Sequence, residues 1–334
     1  MKKLFFPLSS LVVLMLIIIL VLAHQAGSIP PLSPTPSPHP IWAIESIDTM
    51  KYSRDLAQQK DGDASFDNVI DLQVANIAST GASYVAIATP YDEEFVPFLT
   101  RWVDAARKYH LHVWFRGNFS GWEQWFGYKP ITRAQHIAMT SKFITTHPTL
   151  FMNGDIFTAC PECENGGPGD PRKTGDIAGH RQFLIDEYNT ASAAFMTINK
   201  KVNVGYNSMN YDVAMAVMDK PTTAAVGGVV AIDHYVKDSG KLVANIQTLK
   251  DFSGGQVFLG EIGAPIPDIH GKMTEAQQAD WIKQNLDALV ASKSVIGLNY
   301  WVNLGGSTAL WNNDESPRAG VAVLTSYFSR RVTQ

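Results

Sequence analysis

From residue 41 onward the chain alternates between two periodicities, and this alternation limits its fold more than any other feature. Short apolar runs rich in valine, isoleucine and aromatic residues fall at 41–47, 83–89, 111–117, 155–162, 202–208, 229–235, 256–262 and 295–301. Longer stretches of helical period lie between them, including 66–79, 93–109, 132–146, 178–199, 239–252 and 274–292. Strands separated in this way pair in parallel and need helices to cover them. Eight such units predict an α/β fold, a (β/α)8 TIM barrel. An open doubly wound sheet is the rival, but no glycine-rich dinucleotide fingerprint follows the first strand. Helix punctuation agrees with the alternation: Thr274 with Gln277 reads as a capping box, and Thr80-Gly81 closes the first helix. The chain beyond the eighth strand reads as a tail.

Ahead of the barrel, Lys2 and Lys3 precede an almost unbroken apolar run over 4–23. Residues 1–23 therefore read as a signal peptide or as an N-terminal membrane anchor, the run being near the length needed to span a bilayer. Residues 24–40 form a proline-rich linker, Ile29-Pro-Pro-Leu-Ser-Pro-Thr-Pro-Ser-Pro-His-Pro40 at its core, expected to be extended and semi-rigid. Residues 41–334 are then the folded domain, placed outside the cytoplasm: secreted, or tethered through residues 4–23. A net charge of -4 provides no broad basic field, so nucleic acid is not expected as a partner.

In a barrel the chemistry sits where strands end. The strand ends supply Asp48, Tyr91, Arg116, Asn118, Glu162, Asn207, Asn210, Asp233, His234, Tyr235, Glu261, Trp301 and Asn303, whereas the strand starts are mostly small or apolar. Two segments each run a hydrophobic strand into glutamate: the fourth into Glu162 or Glu164, the seventh into Glu261 between Gly260 and Gly263. Facing one another across the barrel mouth, two such carboxyl groups could break a glycosidic bond with retention, which needs them about 5–5.5 Å apart. One must stay ionised to attack, and the other must keep its proton. Arg116 and Tyr235 are the candidates to surround Glu261. Their structural alternatives are an ion pair at the barrel rim and a core tyrosine.

Three motifs together resemble clan A of the retaining glycoside hydrolases, which includes cellulase-like and mannanase-like enzymes. They are Leu259-Gly-Glu-Ile-Gly263 on the seventh strand, Pro161-Glu-Cys-Glu-Asn165 at the fourth and Tyr300-Trp-Val-Asn303 at the eighth. The resemblance implies an acid/base at the end of strand four and a nucleophile at the end of strand seven, Glu261. A variant of the clan reads Glu-Pro-Glu-Asn with the first glutamate catalytic. This favours Glu162 as acid/base and leaves Glu164 as its alternative. The clan often carries an asparagine just before the acid/base. Its absence here would pass the contact to the sugar 2-hydroxyl to Asn118, Asn165 or Asn207. The resemblance also implies that Trp301 stacks under the bound sugar and that the substrate is a β-linked poly- or oligosaccharide. Trp122, Trp125, Phe126 and Trp311 are loop aromatics that either face a glycan or anchor their loops.

Other signals carry less. Cys160-Pro-Glu-Cys163 lacks the second cysteine pair of a zinc site, leaving a disulfide that would pin Glu162, or two free thiols. His110-Leu-His112 opens the third strand, on the face that serves stability. Gly166-Gly-Pro-Gly-Asp170 has no Lys-Ser or Lys-Thr directly after it, so it is no phosphate cradle. The expectation is a glycosidase needing no metal or organic cofactor. The alternatives are a barrel that binds envelope glycans without cleaving them and a metal hydrolase on the same fold.

Overall fold

Eight parallel strands form the barrel: β1 (Ile44–Asp48), β2 (Tyr84–Ile87), β3 (His112–Phe115), β4 (Ile156–Phe157), β5 in two pieces (Asn203–Val204 and Met209–Asn210), β6 (Val229–Asp233), β7 (Gln256–Ile262) and β8 (Val295–Tyr300). Each strand pairs with its sequence neighbours, and β8 pairs with β1. The first piece of β5 pairs with β4 and the second with β6, so the seam of the ring falls inside β5. Gly205 lies at the seam with φ +93, and a Cβ there would sit 2.3 Å from the Val226 carbonyl oxygen. Only glycine fits such a backbone. The computed structural model describes residues 39–332, so the apolar leader and nearly all of the proline-rich linker lie outside the described residues. Among the described residues no helix is long and apolar enough to cross a membrane.

Alternation along the strands sorts side chains into two packed regions. Ile44, Tyr84, Ala86, Trp114, Ile156, Ala231 and Phe258 fill the barrel interior. Ile47, Val85, Val113, Phe115, Phe157, Val230 and Leu259 belong to the larger core shared with the helices. The helices include Asp67–Ser79, Val96–Lys108, Arg133–Thr146, Ile177–Thr197, Ser239–Ser253 and Glu275–Ser292. The capping box of Thr274 and Gln277 is formed, and a second joins Thr132 and Gln135. Gly81 takes the left-handed conformation, φ +84, after the first of these helices.

Three elements depart from the sequence expectation. Only Ile156–Phe157 of the predicted fourth strand is extended, because the chain leaves the sheet at the Cys160–Cys163 disulfide and its intervening proline. The fifth strand is interrupted at Gly205. The expected tail contains a helix, Ala319–Phe328, that packs on Glu275–Ser292.

At the strand starts, the buried carboxylate of Asp155 accepts from both terminal nitrogens of Arg107 and from the Val113 and Met152 backbone N–H groups. His112 lies at this same end, with Nδ1 3.6 Å from Asp155. At the opposite end β1, β3, β6 and β7 finish close together, and residues at or next to these ends make the site.

Candidate active site

The floor is aromatic. Trp114 and Phe258 meet edge to face inside the barrel, ring centroids 5.2 Å apart, and Trp114 Nε1 donates to Thr158 Oγ1 at 2.8 Å. Arg116, the first residue past β3, lays its guanidinium over the Trp114 ring at 5.4 Å. From there it reaches three strand ends: Nη1 donates to Asp48 Oδ2 at 3.0 Å, and Nη2 lies 3.2 Å from Asp233 Oδ2 and 2.6 Å from Glu261 Oε1. Nη2 also meets Ser208 Oγ at 3.2 Å. Burial alone would lower the affinity of Arg116 for its proton, but Glu261, Asp233 and Asp48 hold it well above the ordinary arginine range. A guanidinium fork suits this task because its donors point to separate partners.

Glu261 is almost wholly buried on β7 and both its oxygens are engaged, Oε1 by Arg116 and Oε2 by the Tyr235 hydroxyl at 2.5 Å. The flanking glycines serve the barrel. A Cβ on Gly260 would lie 2.6 Å from both Asp233 Oδ1 and Ser208 Cβ, and one on Gly263 would lie 2.3 Å from the Trp301 carbonyl oxygen. They let neighbouring strands close up.

Glu162 and Glu164 have different surroundings. Glu164 is buried, and its Oε1 accepts from the backbone and side-chain nitrogens of Asn210 at 2.8 and 3.0 Å, tying the fourth-strand loop to β5. Glu162 is only half-buried, and no hydrogen bond to the described residues holds its carboxyl. One oxygen each from Glu162, Asp233 and Glu261 lie within 4.8 Å of one another. Burial, reinforced by the Glu261 charge and opposed by Arg116, pushes the Glu162 carboxyl up to about 8. Asp233 is also held well above the usual range by burial and Glu261. The spacing of the three carboxyls could suit a cation, yet the Arg116 guanidinium already supplies the positive charge at Asp233 and Glu261.

Among the expected binding residues, Arg116 and Tyr235 meet at Glu261. Trp301 flanks them, half-buried, its ring 6.2 Å from that of Tyr235 and under the Lys51 ammonium at 5.8 Å. Asn207 is buried near Ser208, and its Oδ1 has no hydrogen-bond partner among the described residues. Asn118 and Asn165 stand apart. Asn118 is fully buried with its amide oxygen accepting from Phe119 N–H and His136 Nε2, and Asn165 is exposed, its N–H donating to the Glu162 carbonyl at 2.8 Å. Trp122 and Trp311 are buried anchors, whereas Trp125 is half-buried with the Arg54 guanidinium 4.9 Å over its ring. Cys160 and Cys163 form a disulfide.

Sequence reasoning placed Asp48 and Asp233 at strand ends but assigned them no partner, and it did not single out Ser208 or Glu123. Glu123 is pushed up to about 7 by burial, with Arg54 opposing and Glu164 adding. No local pattern marks these residues, since only barrel closure brings positions 48, 116, 208, 233 and 261 together.

No protein-family model and no curated protein matches the sequence. Solved structures do match in fold. A GH5_18 protein from Streptomyces cattleya, in complex with Manβ1-4GlcNAc, aligns at TM-score 0.61 and 14% identity over 87% of this chain and 81% of its own. A fungal β-1,4-galactanase aligns at TM-score 0.57 and 13% identity over 85% and 99%, and a β-glycosidase at TM-score 0.53 and 12% identity over 86% and 96%. The chain thus shares the (β/α)8 fold of these glycoside hydrolases, the fold that its alternation of strands and helices suggested.

Proposed function

We propose that this chain is a retaining glycoside hydrolase acting on a poly- or oligosaccharide, with Glu162 as acid/base and Glu261 as nucleophile. One observation carries the reading: the two carboxyls come within 4.8 Å across the barrel mouth in contrasting settings. Glu261 is gripped at both oxygens by Arg116 and Tyr235, whereas Glu162 is free of hydrogen bonds to described residues and retains its proton up to about pH 8. That proximity suits direct attack better than the wider gap that admits an inverting water.

In the first step Glu162 gives its proton to the departing oxygen while Glu261 attacks the anomeric carbon, forming a glycosyl ester. Esterification removes the Glu261 charge, one of the influences that raises the Glu162 carboxyl. Glu162 then releases a proton more readily and can deprotonate the water that hydrolyses the ester. Arg116 and Tyr235 hold the nucleophile in line, and Trp301 offers a ring for the sugar to stack on. A β-linked glycan is the substrate class we infer, since similar folds include a β-1,4-galactanase and a protein bound to Manβ1-4GlcNAc. We also infer export, secreted or tethered through residues 4–23, which fractionation and N-terminal sequencing of the expressed protein would test.

The decisive experiment uses a panel of aryl β-glycosides and β-linked oligosaccharides. Glu261→Gln should lower kcat by at least about 10³-fold while leaving glycan binding intact. Glu162→Gln should be rescued by azide on substrates with good leaving groups. Normal turnover by Glu261→Gln, or azide rescue at Glu164 instead of Glu162, overturns the assignment.

A further inference from the structure

Since no hydrogen bond to the described residues holds the Glu162 carboxyl, its direction depends on its backbone. That backbone has φ +44, a left-handed conformation uncommon for a residue with a side chain. Such a conformation persists where its surroundings over-determine it. Here they do. The Cys160–Cys163 disulfide brackets Glu162 with Cα atoms 5.3 Å apart, Glu162 N–H donates to the Ser208 carbonyl at 2.7 Å, and Asn165 N–H donates to the Glu162 carbonyl at 2.8 Å.

Both half-cystines are fastened from beneath. The Cys163 carbonyl accepts from Trp122 Nε1 at 3.1 Å, and the Trp122 carbonyl accepts from Gly167 N–H at 2.9 Å. Cys160 Sγ lies 3.7 Å from Asn118 Nδ2. The amide orientation of Asn118 follows from its neighbours: its oxygen faces the Phe119 N–H and His136 Nε2, both at 2.8 Å, leaving the nitrogen for the sulfur. His136 Nδ1 in turn meets Glu187 Oε1 at 2.7 Å. Asn118, His136 and Glu187 are all inaccessible to solvent. The imidazole is wedged edge-on against Trp122 and Phe183 at 4.9 and 5.5 Å. Every link in this chain points at the loop carrying Glu162, and none of the three buried polar residues opens to the cleft.

We propose that the Cys160–Cys163 disulfide and the buried chain Asn118–His136–Glu187 are positioning residues that aim Glu162. This rests on the reading of Glu162 as acid/base. Opening the disulfide frees the loop to leave its left-handed turn, and the step that suffers is the one needing a proton at the departing oxygen. Glu261, on a separate strand with its own clamp, keeps its place.

The test compares leaving groups. A dithiol such as dithiothreitol delivers two electrons and two protons, converting the disulfide to two thiols while itself closing to a cyclic disulfide, and a thiol count verifies the conversion. Reduced enzyme should hydrolyse an oligosaccharide or alkyl glycoside roughly 10- to 100-fold more slowly. Formation of the glycosyl-enzyme from a 2,4-dinitrophenyl glycoside, whose leaving group needs no proton, should change by less than about threefold in single turnover. Reoxidation should restore the first rate. Cys160→Ser/Cys163→Ser and His136→Gln should show the same split. An equal loss on both substrates would reduce these residues to general supports of the fold, and no loss on either would dismiss the idea outright. Oxidised Glu162→Gln is the reference. If it shows no dependence on leaving group, the acid/base reading fails independently; if it does while reduction has no effect, only the positioning proposal fails.

Discussion

Arg116 concentrates the electrostatics of the site in one side chain. Asp48, Asp233 and Glu261 converge on a guanidinium that has no solvent exposure, so removing it would leave several buried acids without compensation. Arg116→Met should therefore cost about 3–5 kcal/mol in denaturant unfolding, as expected for breaking a buried ion pair from one side. Arg116→Lys keeps a charge but loses the fork. It should fold, with kcat lowered by roughly 100-fold because Glu261 loses its aim. Equal stability of wild type and Arg116→Met at neutral pH would refute this account. Glu162 yields a second expectation. Its proton is present below about pH 8, so the rate on substrates with poor leaving groups should fall as pH rises through that value. A kcat/KM profile should show this basic limb, and azide-rescued Glu162→Gln on an activated substrate should lack it. The positions of Glu162 and Glu261 at the barrel mouth were legible from strand ends, and so was the grouping of Arg116 and Tyr235 around Glu261. The sequence did not reveal that Asn118 lies beneath the loop, because Asn118 follows β3 whereas its buried partner His136 sits on the helix Arg133–Thr146.

At the scale of elements, legibility followed the strength of local signals. β7 occupies the residues its apolar run predicts, Gln256–Ile262, and the helix begun by Thr274 starts where its capping box does. β4 was overestimated because a run from Asp155 to Glu162 looks extended until the disulfide and proline turn it out of the sheet. Ala319–Phe328 was missed because its sequence, AGVAVLTSYF, is apolar almost throughout and shows little of the polar face that marks a surface helix. The capping boxes provide a clean test. In each, the threonine hydroxyl accepts from the N–H of a glutamine three residues on, whose side chain returns to the threonine N–H. Thr274→Ala should lower unfolding stability by about 1 kcal/mol, and Thr132→Ala by a similar amount, without changing kcat. Thr132 opens the helix that carries His136, so a rate loss in Thr132→Ala at unchanged stability would mean the helix start itself steers the site.

For the whole molecule, buried acids set how stability depends on pH. Glu45 is inaccessible on β1, and burial, partly offset by the Trp42 backbone and Arg331, pushes it up to about 8. Glu162 lies near the same value, Glu123 near 7, and Asp48 and Asp233 are also raised. A carboxyl raised on folding holds its proton in the native state after the unfolded chain has released it. Its stabilisation is complete below the unfolded value near 4.5 and is lost as pH rises through the folded one. The buried histidines act in the opposite direction over a lower window. His180 and His234 are lowered by burial from 6.5 to about 4, so they weaken the fold only as pH falls through that interval. Between pH 6.5 and 8 the raised carboxyls act without that opposition, and the melting temperature should decline across this range. Each fully titrating group contributes at most about 1.4 kcal/mol per pH unit. Glu45→Gln should flatten the decline without touching catalysis. Glu162→Gln should flatten it as well while removing the proposed acid/base, making that variant more stable than wild type at pH 8. Melting curves for wild type and both variants at pH 6.5 and 8 would decide the matter: parallel declines in all three would show that neither carboxyl is protonated in the folded state.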